Sequence, residues 1–426
     1  MSKLWNAPRH ASPLDQRVRI PGSKSLTNRW LILAAIAGGE CRINHPLRAR
    51  DTLLMASAIE SLGAAVEFDG ESVVVTPGPL VGPAQVDCGL AGTVMRFVPP
   101  IAALASGDIR FDGDPRARVR PMSQIITSLR NLGLEVSDDN RGTLPFTVHG
   151  QGYVAGTTVT LDASASSQFV SALLLAGCRY DSGITIVHNG GQLPSMPHID
   201  MSVEVLRHVG IHVDVEVTDS HNAQWTVHPG IPQGFAVTVE PDLSNAAPFL
   251  AAALVCGGSV TIPDWPDVTT QAGDELRILL AHMGAEVTRN GSDLTITGTG
   301  IIHGIDVDLH DVGELSPVIA ALCALADGPS QLRGIGHLRG HETDRLNALA
   351  TEINNLGGNV TETEDGLVIV PQPLHGGTFS TYEDHRMAMA GAVLGLAVDG
   401  VVIENIDTTS KTLPDFAAMW LNLVGA

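Results

Sequence analysis

Again and again along this chain an apolar helix end runs into a glycine and then into a strand with a turn. That recurrence limits the fold more than any other feature. It appears as SLGAAVEFDGESVVV around Gly63, NLGLEVSDDNRGTLPFTV around Gly133 and HVGIHVDVEVTDSHNAQWTV around Gly210. It returns as HMGAEVTRNGSDLTI around Gly284 and NLGGNVTETEDGLVI around Gly357, and a truncated sixth copy, NLVGA, ends the chain at Gly425. Successive glycines are 70, 77, 74, 73 and 68 residues apart. A glycine there suits a helix C-cap, where a positive φ is needed. The Asp-Gly or Asn-Gly that often follows suits a tight hairpin.

A second signature alternates with the first: a polar helix start, an Ala/Leu-rich helix, a glycine and a β-branched strand. Its copies are SLTNRWLILAAIAGGECRI, AGTVMRFVPPIAALASGDIRF, SSQFVSALLLAGCRYDSGITIV, LSNAAPFLAAALVCGGSVTI, ELSPVIAALCALADGPSQLRGI and HRMAMAGAVLGLAVDGVVIENI. These helices are apolar nearly all round, so they belong in a core. Each copy then holds two helices and about four strands, too little to cover its own apolar faces, so copies must pack on one another. With 426 residues, two domains of three copies each are expected, in the α/β (α+β) class. The buried helices carry the polar starts, and helix N-termini present unpaired N–H groups and partial positive charge. A site lined by several such starts binds anions.

Composition narrows the partners. The net charge of −21 argues against nucleic acid or an anionic membrane, and 4% aromatics against base-stacking platforms. A local cationic cluster for a small anion remains compatible with that acidity. The cysteines, Cys41, Cys88, Cys178, Cys256 and Cys323, are scattered with no CxxC pair. Buried thiols in a reducing cytosol are therefore expected, with neither a disulfide framework nor a zinc site. The start MSKLWNAPRHASPLDQRV has no apolar signal core, and the longest apolar run, Met387–Val398, falls short of the ~20 residues a bilayer needs. A cytoplasmic protein is the expectation.

The chemistry-bearing residues sit mostly at helix starts. In PGSKSLTNR, Gly22 and Ser23 make a turn, Ser25 can cap, and Lys24 and Arg29 project nearby; the P-loop spacing is absent, and an ordinary capped helix reads equally well. CGLAGTVMRF places Gly92 where an anion can approach the backbone, with Arg96 a turn further on. In DGDPRARVRPM, Arg116 and Arg118 suit a solvated loop, while Arg120 before Pro121 is more rigidly aimed. ASASSQFVSALL stacks Ser166, Ser167 and Gln168, which suits a polyol phosphate, and LPSMPHID adds Ser195 and His198. VGELSPVIAALC has Glu314 opening an apolar helix, which a helix-dipole carboxylate also explains. HLRGHETDRL packs His341, Glu342, Asp344 and Arg345 together; TYEDHRMAM adds Asp384, His385 and Arg386, and TTSKTLPDF adds Lys411. Each abuts an apolar helix or strand, which favours a cleft over a solvated face.

Seven of these motifs, PGSKSLTNR, LAGTVMRF, RVRP, SSQF, HETDRL, TYEDHRMAM and SKTLPDF, occur in order and span nearly the whole chain. In this the chain resembles the 3-phosphoshikimate 1-carboxyvinyltransferase (EPSP synthase) family of enolpyruvyl transferases. The resemblance implies an inside-out α/β barrel of two domains, each of three βαβαββ units with buried helices. It implies residues 1–20 plus 241–426 in one domain and 21–240 in the other, the N-terminal strand joining the C-terminal half. It also implies an active site in the interdomain cleft and domains that close on substrate.

The implied reaction moves the enolpyruvyl group of phosphoenolpyruvate to the 5-hydroxyl of shikimate 3-phosphate and releases phosphate. This is a step of the shikimate pathway to chorismate and the aromatic amino acids, and the family is the target of glyphosate. By motif, Lys24, Ser25, Arg29, Ser166, Ser167, Gln168, Ser195, Glu314 and His341 hold shikimate 3-phosphate. Lys24, Gly92, Arg120, Gln168, Arg345, Arg386 and Lys411 hold phosphoenolpyruvate. Glu314 is the implied base at the hydroxyl, and Glu342 the acid at the methylene carbon, oriented by His385 with Lys24 assisting. No metal or organic cofactor is implied, because the substrate carries its own leaving group. Only these two small substrates are expected as partners, acted on by a monomer.

The sequence departs from the common bacterial pattern at four places. Leu90 replaces an Asn, His341 a Lys, Glu314 an Asp and His198 an aromatic hydroxyl. The alternative is the sister enzyme that transfers enolpyruvyl to UDP-N-acetylglucosamine, but Pro115 stands where that enzyme places a Cys. A noncatalytic anion-binding relative is opposed by intact Lys24, Glu314, Glu342, Arg386 and Lys411. An RNA-end-processing relative is opposed by the acidic charge.

Overall fold

A computed structural model describes residues 4–219 and 221–425. The chain divides into two compact domains, one formed by Gly22–Val239 and the other by Met1–Pro21 with Glu240–Ala426.

Both are built from one module. In the 22–239 domain the first module holds helix α1 (Lys24–Ala35), strand Cys41–Asn44, helix α2 (Arg50–Ser61) and the hairpin Ala65–Asp69/Ser72–Thr76. The second holds strand Ala84–Asp87, α3 (Gly92–Ala102), strand Ser106–Asp112, α4 (Ser123–Asn131) and hairpin Glu135–Ser137/Phe146–Gln151. The third holds strand Thr158–Leu161, α5 (Gln168–Gly177), strand Ile184–Asn189, α6 (Met196–His208) and hairpin Val213–Asp219/Asn222–Val227. The other domain repeats the plan. Its first module holds α7 (Leu243–Cys256), strand Gly258–Ile262, α8 (Leu276–His282) and hairpin Glu286–Asn290/Asp293–Gly298. Next come strand Asp306–Asp308, α9 (Ser316–Ala324), strand Ser330–Arg333, α10 (Arg345–Asn355) and hairpin Val360–Glu362/Leu367–Ile369. Strand Gly377–Phe379, α11 (His385–Ala397), strand Val401–Glu404 and α12 (Phe416–Val424) complete it.

Each complete module makes a mixed four-stranded sheet. The central strand pairs parallel with the module's first strand and antiparallel with the far arm of the hairpin, as Ser106–Asp112 does with Ala84–Asp87 and Phe146–Gln151. Two modules lack a first strand of their own and receive one from a distant part of the chain. Ala236–Thr238 pairs parallel with Cys41–Asn44, and Leu14–Arg17 pairs parallel with Gly258–Ile262. The last module has no hairpin after α12, and Leu4–Asn6 supplies its antiparallel strand against Val401–Glu404.

The repeated glycine does one physical job in the five full copies. After α2, Gly63 takes φ 114°, its N–H reaches Glu60 O at 3.0 Å and the Ala64 N–H reaches Ile59 O at 3.1 Å, which is a Schellman closure. The same pair of bonds ends α4 at Gly133, α6 at Gly210, α8 at Gly284 and α10 at Gly357.

The second signature forms the cores. Helices α1, α3 and α5 pack on one another in the 22–239 domain, as α7, α9 and α11 do in the other. Every residue of α3 and of Leu26–Ala35 in α1 is buried, as is His385–Leu396 of α11. All five cysteines are buried, and burial raises the Cys178 and Cys323 thiols to about 12. Among the described residues, no helix is long and apolar enough to cross a membrane.

Candidate active site

In the 22–239 domain the starts of the three core helices are tied together by the predicted residues and their neighbours. Ser23 caps α1, accepting the Leu26 N–H at 3.4 Å, and Lys24 follows it. Asn28 Nδ2 donates to Thr93 Oγ1 at 2.6 Å, joining α1 to α3. Arg96 Nη1 donates to Gln168 Oε1 at 3.0 Å, joining α3 to α5, and its guanidinium lies 5.4 Å from the Phe169 ring centre.

Arg29 is only 2% exposed and is held on several sides. It donates to Ser202 Oγ at 2.8 Å, Ser25 O at 3.0 Å, Ser171 Oγ at 3.4 Å and His198 O at 2.7 Å. Its fork therefore positions Ser25 and the start of α6. Ser195 precedes α6 with φ 53°, a left-handed conformation unusual for serine and of the kind that clusters at functional sites. Ser166 and Ser167 precede Gln168, and Ser166 Oγ accepts the Gln168 N–H at 3.3 Å.

Gly92 opens α3 under two guanidinium groups. A Cβ there would sit 2.8 Å from Arg96 Nη1 and 3.2 Å from both Arg120 terminal nitrogens. Arg120 is 8% exposed; it donates to Leu90 O at 3.3 Å, and its Nε has no hydrogen-bond partner among the described residues. A side chain here would press on both guanidinium groups, so their present positions suit glycine.

Asp51 was not among the sequence candidates. It lies in the first turn of α2 and is 1% exposed, with Oδ2 3.7 Å from Lys24 Nζ. Neither oxygen accepts a hydrogen bond from the described residues. The α2 N-terminus and the Lys24 ammonium offset the cost of burying this charge. Its sequence signal, an acid opening a helix in RARDT, is too common to single out.

In the other domain the sequence candidates Glu314, His341, Glu342, Arg345, His385, Arg386 and Lys411 form one connected network. Asp384 caps α11 by accepting the Arg386 N–H at 2.8 Å. The same carboxylate accepts from Arg345 Nε at 2.8 Å and Nη2 at 3.3 Å. Arg345 Nη2 also reaches Glu342 Oε2 at 3.1 Å, and Lys411 Nζ reaches Glu342 Oε1 at 2.6 Å. Arg386 donates to Glu314 Oε2 at 3.2 Å and to Ser244 O at 2.8 Å, tying the starts of α11, α9 and α7 together. Asn245 Nδ2 donates to Thr412 O at 3.1 Å, fixing the backbone just after Lys411. His385 Nδ1 lies 3.8 Å from Asp384 Oδ1.

The network pairs the cations Arg345, Arg386 and Lys411 with the carboxylates Glu314, Glu342 and Asp384. Burial alone would lower the Arg345 pKa; the charges of Asp384 and Glu342 outweigh it and raise the pKa above the ordinary value. His341 Nδ1 lies 3.4 Å from Arg345 Nη1. Arginine only donates, so that nitrogen accepts, which puts the proton of a neutral ring on Nε2. Glu314 is the most open of the three carboxylates, with 27% of its side chain exposed, against 9% for Glu342 and 0% for Asp384. The arrangement presents three fixed cations and two carboxylates that accept protons, the equipment for binding an anion and moving protons on it.

Comparison with known proteins gives a consistent result. The family model for EPSP synthase (3-phosphoshikimate 1-carboxyvinyltransferase) matches residues 8–420. A 3-phosphoshikimate 1-carboxyvinyltransferase of Kocuria rhizophila is 56% identical over 436 residues, covering 99% of this chain and 97% of that protein. An EPSP synthase structure from Acinetobacter baumannii superposes with a TM-score of 0.80 at 25% identity, covering 99% of this chain and 98% of that one. The enolpyruvyl transferase NikO of Streptomyces tendae shares the fold, with a TM-score of 0.74 at 19% identity over 98% of this chain and 96% of that one.

Proposed function

This chain belongs to the EPSP synthase (3-phosphoshikimate 1-carboxyvinyltransferase) family, and from that membership we propose that it transfers the enolpyruvyl group of phosphoenolpyruvate to the 5-hydroxyl of shikimate 3-phosphate, releasing phosphate. The observation that carries the chemistry is Glu342 held between Lys411 and Arg345, beside the Arg386–Glu314 pair.

Phosphoenolpyruvate carries a carboxylate and a phosphate, and Lys24, Gly92, Arg120, Gln168, Arg345, Arg386 and Lys411 are assigned to it. Arginine forks hold such planar anions bidentately. Lys24, Ser25, Ser166, Ser167, Gln168, Ser195, Glu314 and His341 are assigned to shikimate 3-phosphate. Arg29 joins that set, acting through its hold on Ser25 and the start of α6.

Glu314 takes the proton of the 5-hydroxyl, and Glu342 delivers a proton to the methylene carbon of phosphoenolpyruvate, with His385 and Lys24 assisting. The hydroxyl oxygen then bonds to the carbon bearing the phosphate, giving a tetrahedral intermediate. Loss of a methyl proton and cleavage of the C–O bond to phosphate restore the double bond and release the product. Lys411 and Arg345 stabilise charge that moves onto the leaving phosphate. The reading takes the reaction to run in the cytoplasm on a monomer, with the two substrates as sole partners and no cofactor.

Mass spectrometry of a reaction of purified protein with both substrates tests this. A product with the mass of shikimate 3-phosphate plus the enolpyruvyl group, formed only when both substrates are present, supports the proposal. Unchanged shikimate 3-phosphate under conditions where the protein is folded overturns it.

A further inference from the structure

Outside both networks, the 22–239 domain carries three potential metal ligands on one face of a strand pair. In the hairpin Val213–Asp219/Asn222–Val227, Val213 faces Val227 and Asp214 faces Thr226. The register continues one step beyond the ladder, where the His228 N–H donates to His212 O at 3.1 Å, so His212 and His228 stand opposite each other. Alternation turns Val213 and Val227 into the core, at 1% and 0% exposure, and puts His212, Asp214 and His228 together on the other face.

The three side chains already converge. The imidazole centres are 4.7 Å apart. Asp214 gives one oxygen to each ring: Oδ1 is 3.0 Å from His212 Nε2, and Oδ2 is 2.7 Å from His228 Nε2. One donor atom from each residue lies within 4.8 Å of the others. The side chains of His212, Asp214 and His228 are 71%, 47% and 45% exposed, so an ion can reach them.

We propose that His212, Asp214 and His228 bind one divalent transition-metal ion of the zinc type through two imidazole Nε2 atoms and one carboxylate oxygen, with water completing the shell. Two imidazoles and one carboxylate suit Zn²⁺, Ni²⁺ or Cu²⁺, whereas Mg²⁺ and Ca²⁺ prefer all-oxygen sites. Ligands on tetrahedral zinc at about 2.0–2.1 Å are roughly 3.3 Å apart, so modest side-chain rotation converts the present hydrogen bonds into a ligand set. The strand ladder fixes the Cα positions beforehand, which lowers the ordering cost of binding. The chain's net charge of −21 also favours approach of a dication.

Isothermal titration of the full chain with Zn²⁺, and separately with Ni²⁺, tests the assignment. The chain has 16 histidines, so variants are needed to isolate the site. Wild type is expected to bind one ion per chain at this site. His228→Ala, His212→Gln and Asp214→Asn should each weaken it at least about tenfold, the loss that even outer-shell partners produce. The control His303→Ala, at a separate exposed His–Asp pair, should leave binding unchanged. Phosphate release should be unchanged in the three site variants, which separates this proposal from the catalytic one. Absence of stoichiometric binding by wild type, or wild-type affinity in His228→Ala, overturns it.

Discussion

Substituting Gly92 by alanine is a graded test of how the phosphoenolpyruvate side is built. The added methyl lies 2.8 Å from Arg96 Nη1 and 3.2 Å from both terminal nitrogens of Arg120, where ordinary contact begins near 3.4 Å. Arg96 yields poorly, because Nη1 holds Gln168 and the guanidinium packs on Phe169. Both groups must give, and Arg120 gives more readily, since its bond to Leu90 O is already long at 3.3 Å. A hydrogen bond to a charged group contributes about 1.5–3 kcal/mol, and a displacement of a few tenths of an ångström weakens such a contact without abolishing it. A loss of about 1–1.5 kcal/mol corresponds to a KM for phosphoenolpyruvate raised roughly 5- to 12-fold, at about 1.4 kcal/mol per tenfold. The assay is initial-rate phosphate release with each substrate varied in turn. KM for shikimate 3-phosphate should move less than about twofold, since the methyl presses on Arg120 and Arg96 rather than on Ser25 or Ser195. Glyphosate, an anion expected to compete with phosphoenolpyruvate, should inhibit wild type competitively and the variant more weakly. An unchanged KM for phosphoenolpyruvate in a folded variant refutes the placement of Arg120; equal rises for both substrates would show a general distortion instead.

Three further perturbations probe the other domain and the scaffold. Glu314→Gln keeps the shape beside Arg386 but removes the carboxylate proposed as the base, so turnover should fall at least about 100-fold while shikimate 3-phosphate affinity by calorimetry changes little; a pure affinity loss would contradict the base role. Asp384→Asn removes a fully buried carboxylate that Arg345 contacts twice, and urea unfolding should show a loss of about 3 kcal/mol, the low end for breaking a buried pair because Glu342 still faces Arg345; a loss below about 0.5 kcal/mol would refute the role. At Asp138, burial alone would raise the pKa, but the bond from Arg130 and the Gly142 and Asn140 amides outweigh it and lower it. A depressed folded pKa gives stability that is present above the unfolded value of about 3.9 and is lost as pH falls through the folded value. Asp138→Asn should therefore destabilise at pH 7 and converge with wild type in strong acid, and a constant difference across that range would contradict the linkage.

Much of the architecture was legible because it is written locally and repeatedly. The helix-end glycines and the apolar-all-round helices are each short-range signals, and six copies made them unambiguous. The cations and carboxylates at α11 and before α10 were legible for the same reason, as charges abutting apolar helices. Pairings between distant elements were not legible in the residues themselves, and the family resemblance alone implied that the N-terminal strand joins the C-terminal half. Asp51 matters only because the start of α2 lies beside the start of α1, a fact that neither segment carries. Arg29 reads as a projecting cation, but its place one turn after Ser25 turns it inward to Ser171, Ser202 and the His198 carbonyl. Asp384 reads as one member of a charged trio; that it both caps α11 and holds Arg345 depends on α10 packing against α11. The three strands supplied from elsewhere in the chain, Leu4–Asn6, Leu14–Arg17 and Ala236–Thr238, are set by which module lacks an edge rather than by their own composition.

The most direct test of the central claim is phosphate release from phosphoenolpyruvate by wild type and Lys24→Met, with shikimate 3-phosphate and UDP-N-acetylglucosamine as parallel acceptors. The account predicts release by wild type with shikimate 3-phosphate alone, and loss of that release in a folded Lys24→Met variant. Release with the nucleotide sugar, or near-normal release by the variant, would contradict it.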